Sequence, residues 1–250
     1  MALGSLTLAQ IRLAAQQRAN MENSQFVTDT EWNSMINQSY YELYDLLVQK
    51  YGNDYYVAPP LQIPLDNRAN QTYPLPDGVN YSAAPAFYKL MGVDLQLYAG
   101  TNNYLTLHPF MFSERNKFAS PNFAALQGVL RPNYRLQGNN IALIPVSPSG
   151  ISMRVWYVPR LVELVSDSDS ADGISGWDEY IIVDAAIKAL QKEESDVSVL
   201  FAQKQALIAR IEAAGENRDQ GAPQTISDVA GGPWGRFGDG GPGGFGWGGF

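Results

Sequence analysis

The spacing of apolar positions changes character three times along the chain. Up to residue 52 it is helical. Apolar residues fall at Trp32, Met35, Ile36, Tyr40, Leu43, Leu46, Leu47 and Tyr51, near the 3.6-residue period of an amphipathic helix. The start of this helix is marked in V-TDTE-W (27–32). Thr28 stands at the cap, Glu31 closes a capping box, and Val27 and Trp32 hold the staple positions. Gly52 is placed to end it. TLAQ (7–10) repeats the capping-box form with Thr7 and Gln10 and predicts an earlier helix.

Between residues 53 and 165 the period shortens to two. FYKLMGVDLQL (87–97) and YLTLHPFMF (104–112) flank AGTNN and predict two paired strands. YRLQGNNIALIPV (134–146) and SPSGISMRVWYV (147–158) predict a meander. In the last run Ile151, Met153, Val155 and Tyr157 alternate with Ser152, Arg154 and Trp156. PLPDG (74–78) has turn chemistry, and Pro59, Pro60, Pro64, Pro145 and Pro159 belong at strand ends or edges. Such spacing suits an antiparallel sandwich or a small barrel.

The helical period then returns. In WDEYIIVDAAIKALQKEE (177–194) the polar residues Asp184, Lys188, Gln191 and Lys192 form one thin stripe in an apolar surround. A helix with so narrow a wet face must be covered on most sides, by other helices or by neighbouring subunits. Asp184 and Lys188 also form an acid-before-base i,i+4 pair. Leu200, Phe201, Leu207, Ile208 and Ile211 mark a second helix ending near Gly215, and the short link predicts an antiparallel hairpin.

The pattern therefore predicts an α+β chain in three parts. Residues 1–52 and 166–215 form one helical bundle, with residues 53–165 inserted as a β-rich domain, a sandwich or barrel-like region. Residues 216–250 form a flexible Gly/aromatic extension.

Composition narrows the function. The 250 residues contain no cysteine and one histidine, His108, which removes disulfides and thiolate chemistry and leaves any triad or His-based metal site resting on one ring. The net charge of −8 argues against a groove held on phosphates, which needs clustered Lys and Arg. No apolar run approaches the roughly 18–20 residues of a spanning helix. The opening MALGSLTLAQIRLAA lacks a basic region ahead of an apolar stretch, which reads against a secretory signal. An acidic protein made in the cytoplasm, without a cofactor, is expected.

Four features hold candidate chemistry. DSDSADGISGWDE (167–179) places Asp167, Asp169, Asp172 and Glu179 in a spacing like a calcium loop, with one residue inserted relative to the EF-hand pattern. A solvated acidic loop ahead of a helix N-terminus explains the same residues. His108, in TLHPF, has no second His or Cys to converge with it, so a structural role is the plainer reading. ERNKF (114–118) and RPNYR (131–135) set positive charge among aromatics, as a base-stacking surface would, or as sandwich loops with salt bridges would. In PWGRFGDGGPGGFGWGGF (233–250), glycine spacers carry Trp234, Phe237, Phe245, Trp247 and Phe250. Each aromatic can fill a pocket on a partner while the glycines let the backbone follow it. These five are the expected partner-binding residues; no catalytic or cofactor residues are expected.

Two stretches together carry a resemblance. FYKLMGVDLQLYAGTNNYLTLHPFMFSERNKF (87–118), with its GVDL and ERN, and GWDEYIIVDAAIKALQKEESDVSVL (176–200), with WDEY and an Ala-rich continuation, are similar to segments of tailed-bacteriophage virion proteins. With the amphipathic helical start, most of residues 5–214 resembles a head-to-tail adaptor, or connector. That resemblance implies a homo-oligomeric ring, usually a dodecamer, in the virion neck at the head–tail junction. Such a ring docks on the portal, meets tail or neck proteins, and passes DNA through its lumen without specific binding. A dozen copies at −8 each would carry on the order of −96, which repels phosphates.

Two other readings differ in kind. The β region could be a capsid- or carbohydrate-binding module, with Tyr73, Tyr81, Tyr98, Tyr104 and Tyr134 stacking on sugars. A metal-dependent hydrolase would have to use Asp167, Asp169, Asp172 and Glu179, a thin inventory of bases and nucleophiles. The expectation is a structural protein, not an enzyme, with no membrane partner.

Overall fold

A computed structural model describes residues 6–22, 24–51, 56–66, 72–114, 133–144, 150–171 and 176–216. The chain divides into two units, Met1–Arg218 and Asp219–Phe250, and every described residue lies in the first.

Four helices occur among the described residues: α1 (Leu8–Arg18), α2 (Asp29–Lys50), α3 (Asp178–Lys192) and α4 (Ser198–Glu216). Both predicted capping boxes form. Thr7 accepts from the Gln10 amide and Gln10 reaches back to the Thr7 amide at 3.0 Å. Glu31 accepts from the Thr28 amide at 2.9 Å while Thr28 accepts from that of Glu31. Val27 and Trp32 are buried, as a staple requires. Lys192 reaches back from the end of α3 to Glu31 at 2.7 Å. That hydrogen bond, with the Thr28 amide, holds the Glu31 carboxyl down at about 2.

The helices share one hydrophobic core, from Leu8 and Ile11 through Trp32, Ile36, Leu43 and Leu47 to Ile181, Ala185, Leu207 and Ile211. Nine residues of α3, Tyr180 to Ile187 and Ala189, are buried. The cover comes from α1, α2 and α4 of the same chain. The thin stripe on α3 therefore needs no neighbouring subunit to hide its apolar surround.

As the sequence predicts, α4 ends near Gly215, with Glu216 its last residue. A Cβ on Gly215 would meet the Lys50 carbonyl oxygen at 2.5 Å and its carbon at 3.0 Å. The missing side chain lets α4 touch the end of α2, beside the Lys50–Glu212 ion pair. Gly215→Ala should therefore destabilise by about 1–2 kcal/mol in urea unfolding, because overpacking against backbone outweighs alanine's better helix propensity. A gain in stability would mean that the two helix ends separate at little cost.

Among the described residues eight strands run between the helices: β1 (Leu61–Pro64), β2 (Thr72–Pro74), β3 (Phe87–Gln96), β4 (Tyr104–Thr106), β5 (His108–Pro109), β6 (Asn133–Gln137), β7 (Asn140–Ile144) and β8 (Ser152–Pro159). They form two four-stranded sheets, ordered β1-β8-β3-β4 and β2-β7-β6-β5. The fold is α+β, and neither sheet closes into a barrel among the described residues. Alternation on β8 is as predicted, with Met153, Val155 and Tyr157 buried and Ser152, Arg154 and Trp156 on the wetter face. Ile63, Val93, Leu95 and Met153 from one sheet and Tyr73, Ile141 and Leu143 from the other belong to one apolar cluster. Pro64 and Pro159 end their strands, as expected, while Pro145 and Gly52 lie outside the described residues.

Three expectations for this region need correction. YLTLHPFMF is not one strand. Tyr104–Thr106 pairs with β3, the Leu107 amide still bonds to the Val93 carbonyl at 2.9 Å, and then the chain crosses to the other sheet. Leu107 is buried and Pro109 lacks the N–H that a longer ladder would need. The pairing of β5 with β6 is parallel, so the β region is not wholly antiparallel. The meander also breaks: β6 and β7 form a hairpin, but β8 joins the opposite sheet, between β1 and β3.

A third, small cluster joins the layers. Tyr44 and Val48 of α2 pack on Val158 of β8, and the Tyr44 hydroxyl donates to the Pro159 carbonyl at 2.9 Å.

Candidate functional site

The acidic connection between β8 and α3 is built as a clamp on α1. Asp169 accepts from the Ser166 amide at 2.7 Å and the Val165 amide at 2.8 Å, and these bonds hold its carboxyl below the usual range. The backbone carbonyls of Asp169 and Asp167 accept from the amides of Leu8 and Ala9, which start α1 and have no partner within that helix. The Asp167 carboxylate pairs with Arg12 at 3.0 Å, and Glu179 pairs with Arg18 at 2.5 Å. Three of the four candidate cation ligands are thus directed to three different partners. Asp172 lies outside the described residues. Among the described residues no group of three or more His, Asp or Glu is arranged to hold a metal ion.

Other singled-out residues are dispersed. His108 is exposed on β5. Glu114 ends a single 3-10 turn, and Arg135 lies 5.2 Å above the Phe112 ring; residues 115–118 and 131–132 lie outside the described residues. Of the five tyrosines proposed to stack on sugars, Tyr73 is core, Tyr81 and Tyr134 pack partly against it, and Tyr98 is exposed. Tyr104 sits beneath the Arg154 guanidinium at 3.6 Å. Trp234, Phe237, Phe245, Trp247 and Phe250 lie outside the described residues. Among the described residues no helix is long and apolar enough to cross a membrane.

What the structure does bring together is a buried ion network in the helical layer. Asp184, 2% exposed, has Lys204 at 2.6 Å on one oxygen and Lys188 at 2.7 Å on the other. Both ammonium groups also reach Glu42 of α2, at 2.9 and 3.3 Å. Burial alone would raise the Asp184 carboxyl, but the two lysines outweigh it and the net shift is downward. Lys204 moves the opposite way: burial would lower it, and Asp184 drives it above the ordinary lysine range. With two acids and two bases the network is neutral, and it ties α2, α3 and α4 into one register. The i,i+4 partner was readable from sequence; Lys204, twenty residues on, was not.

A second constellation lies on the outer face of the first sheet, beside the segment leading into β1, whose Ala58 amide bonds to the Tyr157 carbonyl of β8. A cleft of about 640 Å³ is lined there by Pro59, Met91, Gly92, Asp94, Thr106 and Trp156, among others. Asp94 stands opposite Thr106 on β4 and Arg154 on β8. Its Oδ2 accepts from the Trp156 indole N–H at 2.6 Å and its Oδ1 from the Thr106 hydroxyl at 2.9 Å. Next to it, the Gln96 side-chain carbonyl accepts from the Ser152 amide and hydroxyl, both at 3.0 Å. This face is preorganised: its polar side chains are held by cross-strand bonds before any ligand arrives. The size falls in the range of small-ligand and side-chain pockets.

No protein-family model matches the chain, and no curated protein matches it with significance. Function must therefore be argued from the residues. Asp94 and Trp156 were not singled out from sequence, although a signal existed. A tryptophan at a wet-face position of an alternating strand, two residues from an arginine, is an unusual use of the largest apolar side chain.

Proposed function

We propose that this chain is a virion structural protein, a head-to-tail adaptor that forms a ring between portal and tail and continues the DNA channel, with no catalytic role. In this reading the four helices form the bundle that builds the ring. The two sheets form a sandwich-like insertion directed to neighbours or tail proteins, and the Gly/aromatic extension, with Trp234, Phe237, Phe245, Trp247 and Phe250, docks on a partner such as the portal. The resemblance of residues 87–118 and 176–200, in spacing and residue type, to segments of tailed-bacteriophage virion proteins is what suggests it. The observation that carries it furthest in the fold is on the helical layer. Its core is complete, yet Leu13 (52%), Phe26 (49%), Val199 (68%) and Phe201 (50%) stay exposed on or beside its helices. Large apolar side chains left over after a core is closed suit subunit contacts. Weak contacts repeated around a ring gain from avidity.

The cleft on the first sheet favours the second reading, a capsid- or carbohydrate-binding module. One experiment separates the two. Particle imaging of the purified protein, alone and mixed with the portal protein, should show rings that cap the portal under the first reading. Strict monomers that never associate with portal count against it. Removing everything after Gly215 should leave the body folded and weaken the attachment; unchanged attachment would assign the extension to another partner.

A further inference from the structure

We propose that the cleft around Asp94 and Trp156 is a receptor for a single arginine or lysine side chain presented by a protein partner. The inference stands on the cleft itself and does not depend on the adaptor reading.

The first reason is an imbalance of charge. Asp94 is held by two neutral donors, an indole N–H and a hydroxyl. Among the described residues no ammonium or guanidinium lies within 4 Å of its carboxylate. The acids that tie the helices together, Glu31, Glu42, Asp167, Glu179 and Asp184, all have such a partner. The nearest candidate in the fold, Arg154, faces Asp94 across the ladder, yet its guanidinium lies over Tyr104 instead. The site is thus an anchored, half-buried carboxylate that forms no ion pair among the described residues, its cross-strand neighbour Arg154 being engaged by Tyr104.

The remaining lining fits the rest of a long basic side chain. Met91 and Pro59 offer apolar walls to a methylene stem, and Trp156 offers an aromatic ring of the kind that attracts cations. The open floor comes from Gly92. Its φ is not positive and a Cβ there would meet nothing within 4 Å, so glycine is required neither by the backbone nor by a close neighbour. What its missing side chain does is keep the cleft deep beside Trp156, its register partner. A purely apolar ligand would leave the carboxylate dehydrated and unpaired, and an anion would be repelled. The chain itself is acidic at −8, which favours a basic partner over a second copy.

The test uses the intact protein and a probe of defined charge. Acetyl-Gly-Arg-Gly-amide is titrated into isotope-labelled protein and compared with the same peptide carrying citrulline, which has arginine's shape without its charge. The arginine peptide should shift the Trp156 indole N–H and the amides of Gly92 and Thr106, at about tenfold lower concentration than the citrulline peptide. Asp94→Asn should abolish that difference. Gly92→Val, which fills the floor without touching the charge, should block both peptides while leaving the rest of the amide spectrum in place. No response at the Trp156 indole, an equal response to both peptides, or a tighter response of the same signals to a neutral oligosaccharide such as maltotriose would each overturn the proposal.

Discussion

Replacing Asp184 by alanine is expected to cost the chain about 3–5 kcal/mol, one of the largest single-residue losses available in it. The reason lies in what remains. Lys188 and Lys204, with side chains 20% and 18% exposed, would face each other across a vacated site, with only the half-exposed Glu42 to share. Removing one partner of a buried pair is worse than removing the whole pair, because the surviving charges keep their desolvation cost. The triple variant Asp184→Leu, Lys188→Met, Lys204→Met should therefore recover most of the loss. Urea unfolding checks both, and a single-variant cost below about 1 kcal/mol would show that water already reaches the network.

The pH dependence has a definite sign. The folded-state carboxyl of Asp184 lies below its ordinary value of 3.8. Its contribution to stability is therefore complete above that value and is lost as pH falls through it toward the depressed folded value. Wild type should lose stability across that acid range more steeply than the triple variant, which lacks the Asp184 carboxyl and the lysines that lower it.

Asn37→Ala should cost about 2–4 kcal/mol, from two buried bonds that nothing else replaces. Asn37, 5% exposed, sits mid-helix on α2, where asparagine is a poor helix former. Its side chain donates to the Leu164 carbonyl and accepts from the Leu164 amide, both at 2.9 Å. One amide group thus substitutes for a strand partner along the extended segment between β8 and α3, and it carries Leu164 into the helical core. Truncation strands a buried N–H and a buried C=O together. Hydrogen exchange at the Leu164 amide is the local readout: slow in wild type, fast in the variant. Unchanged protection at Leu164 would mean that the segment is held by its apolar contacts alone.

Much of the helical layer was legible because its signals are local. Thr7 with Gln10, and Thr28 with Glu31, lie three residues apart, so a capping box can be read from spacing and the residue types needed. The period of α2 and the thin stripe of α3 likewise reflect which faces are buried. What covers those faces is a different matter. The apolar surround of α3 read equally as an oligomer contact and as an internal helix, since both bury the same surface. Only the positions of α1, α2 and α4 decided for the interior.

The β region was legible as strands but not as sheets. Alternation states which side chains point inward and says nothing of which strand lies alongside. That Leu107 marks a crossing, that β8 leaves its neighbour in sequence for β1 and β3, and that β5 runs parallel to β6 are all results of pairing at long range. The candidate cation loop failed to gather for a related reason. A spacing of carboxylates is compatible with one metal, but Arg12 and Arg18 on a helix more than 150 residues earlier compete for Asp167 and Glu179.

By itself, then, the sequence determined the starts of α1 and α2, the buried helix faces and the α+β class, because caps and periodicity are settled within a few residues of backbone. The tertiary structure alone decided the partners: Lys204 for Asp184, Leu164 for Asn37, Trp156 for Asp94. Each of those contacts joins residues far apart in the chain, and burial, which makes them strong, exists only once the layers have closed around them.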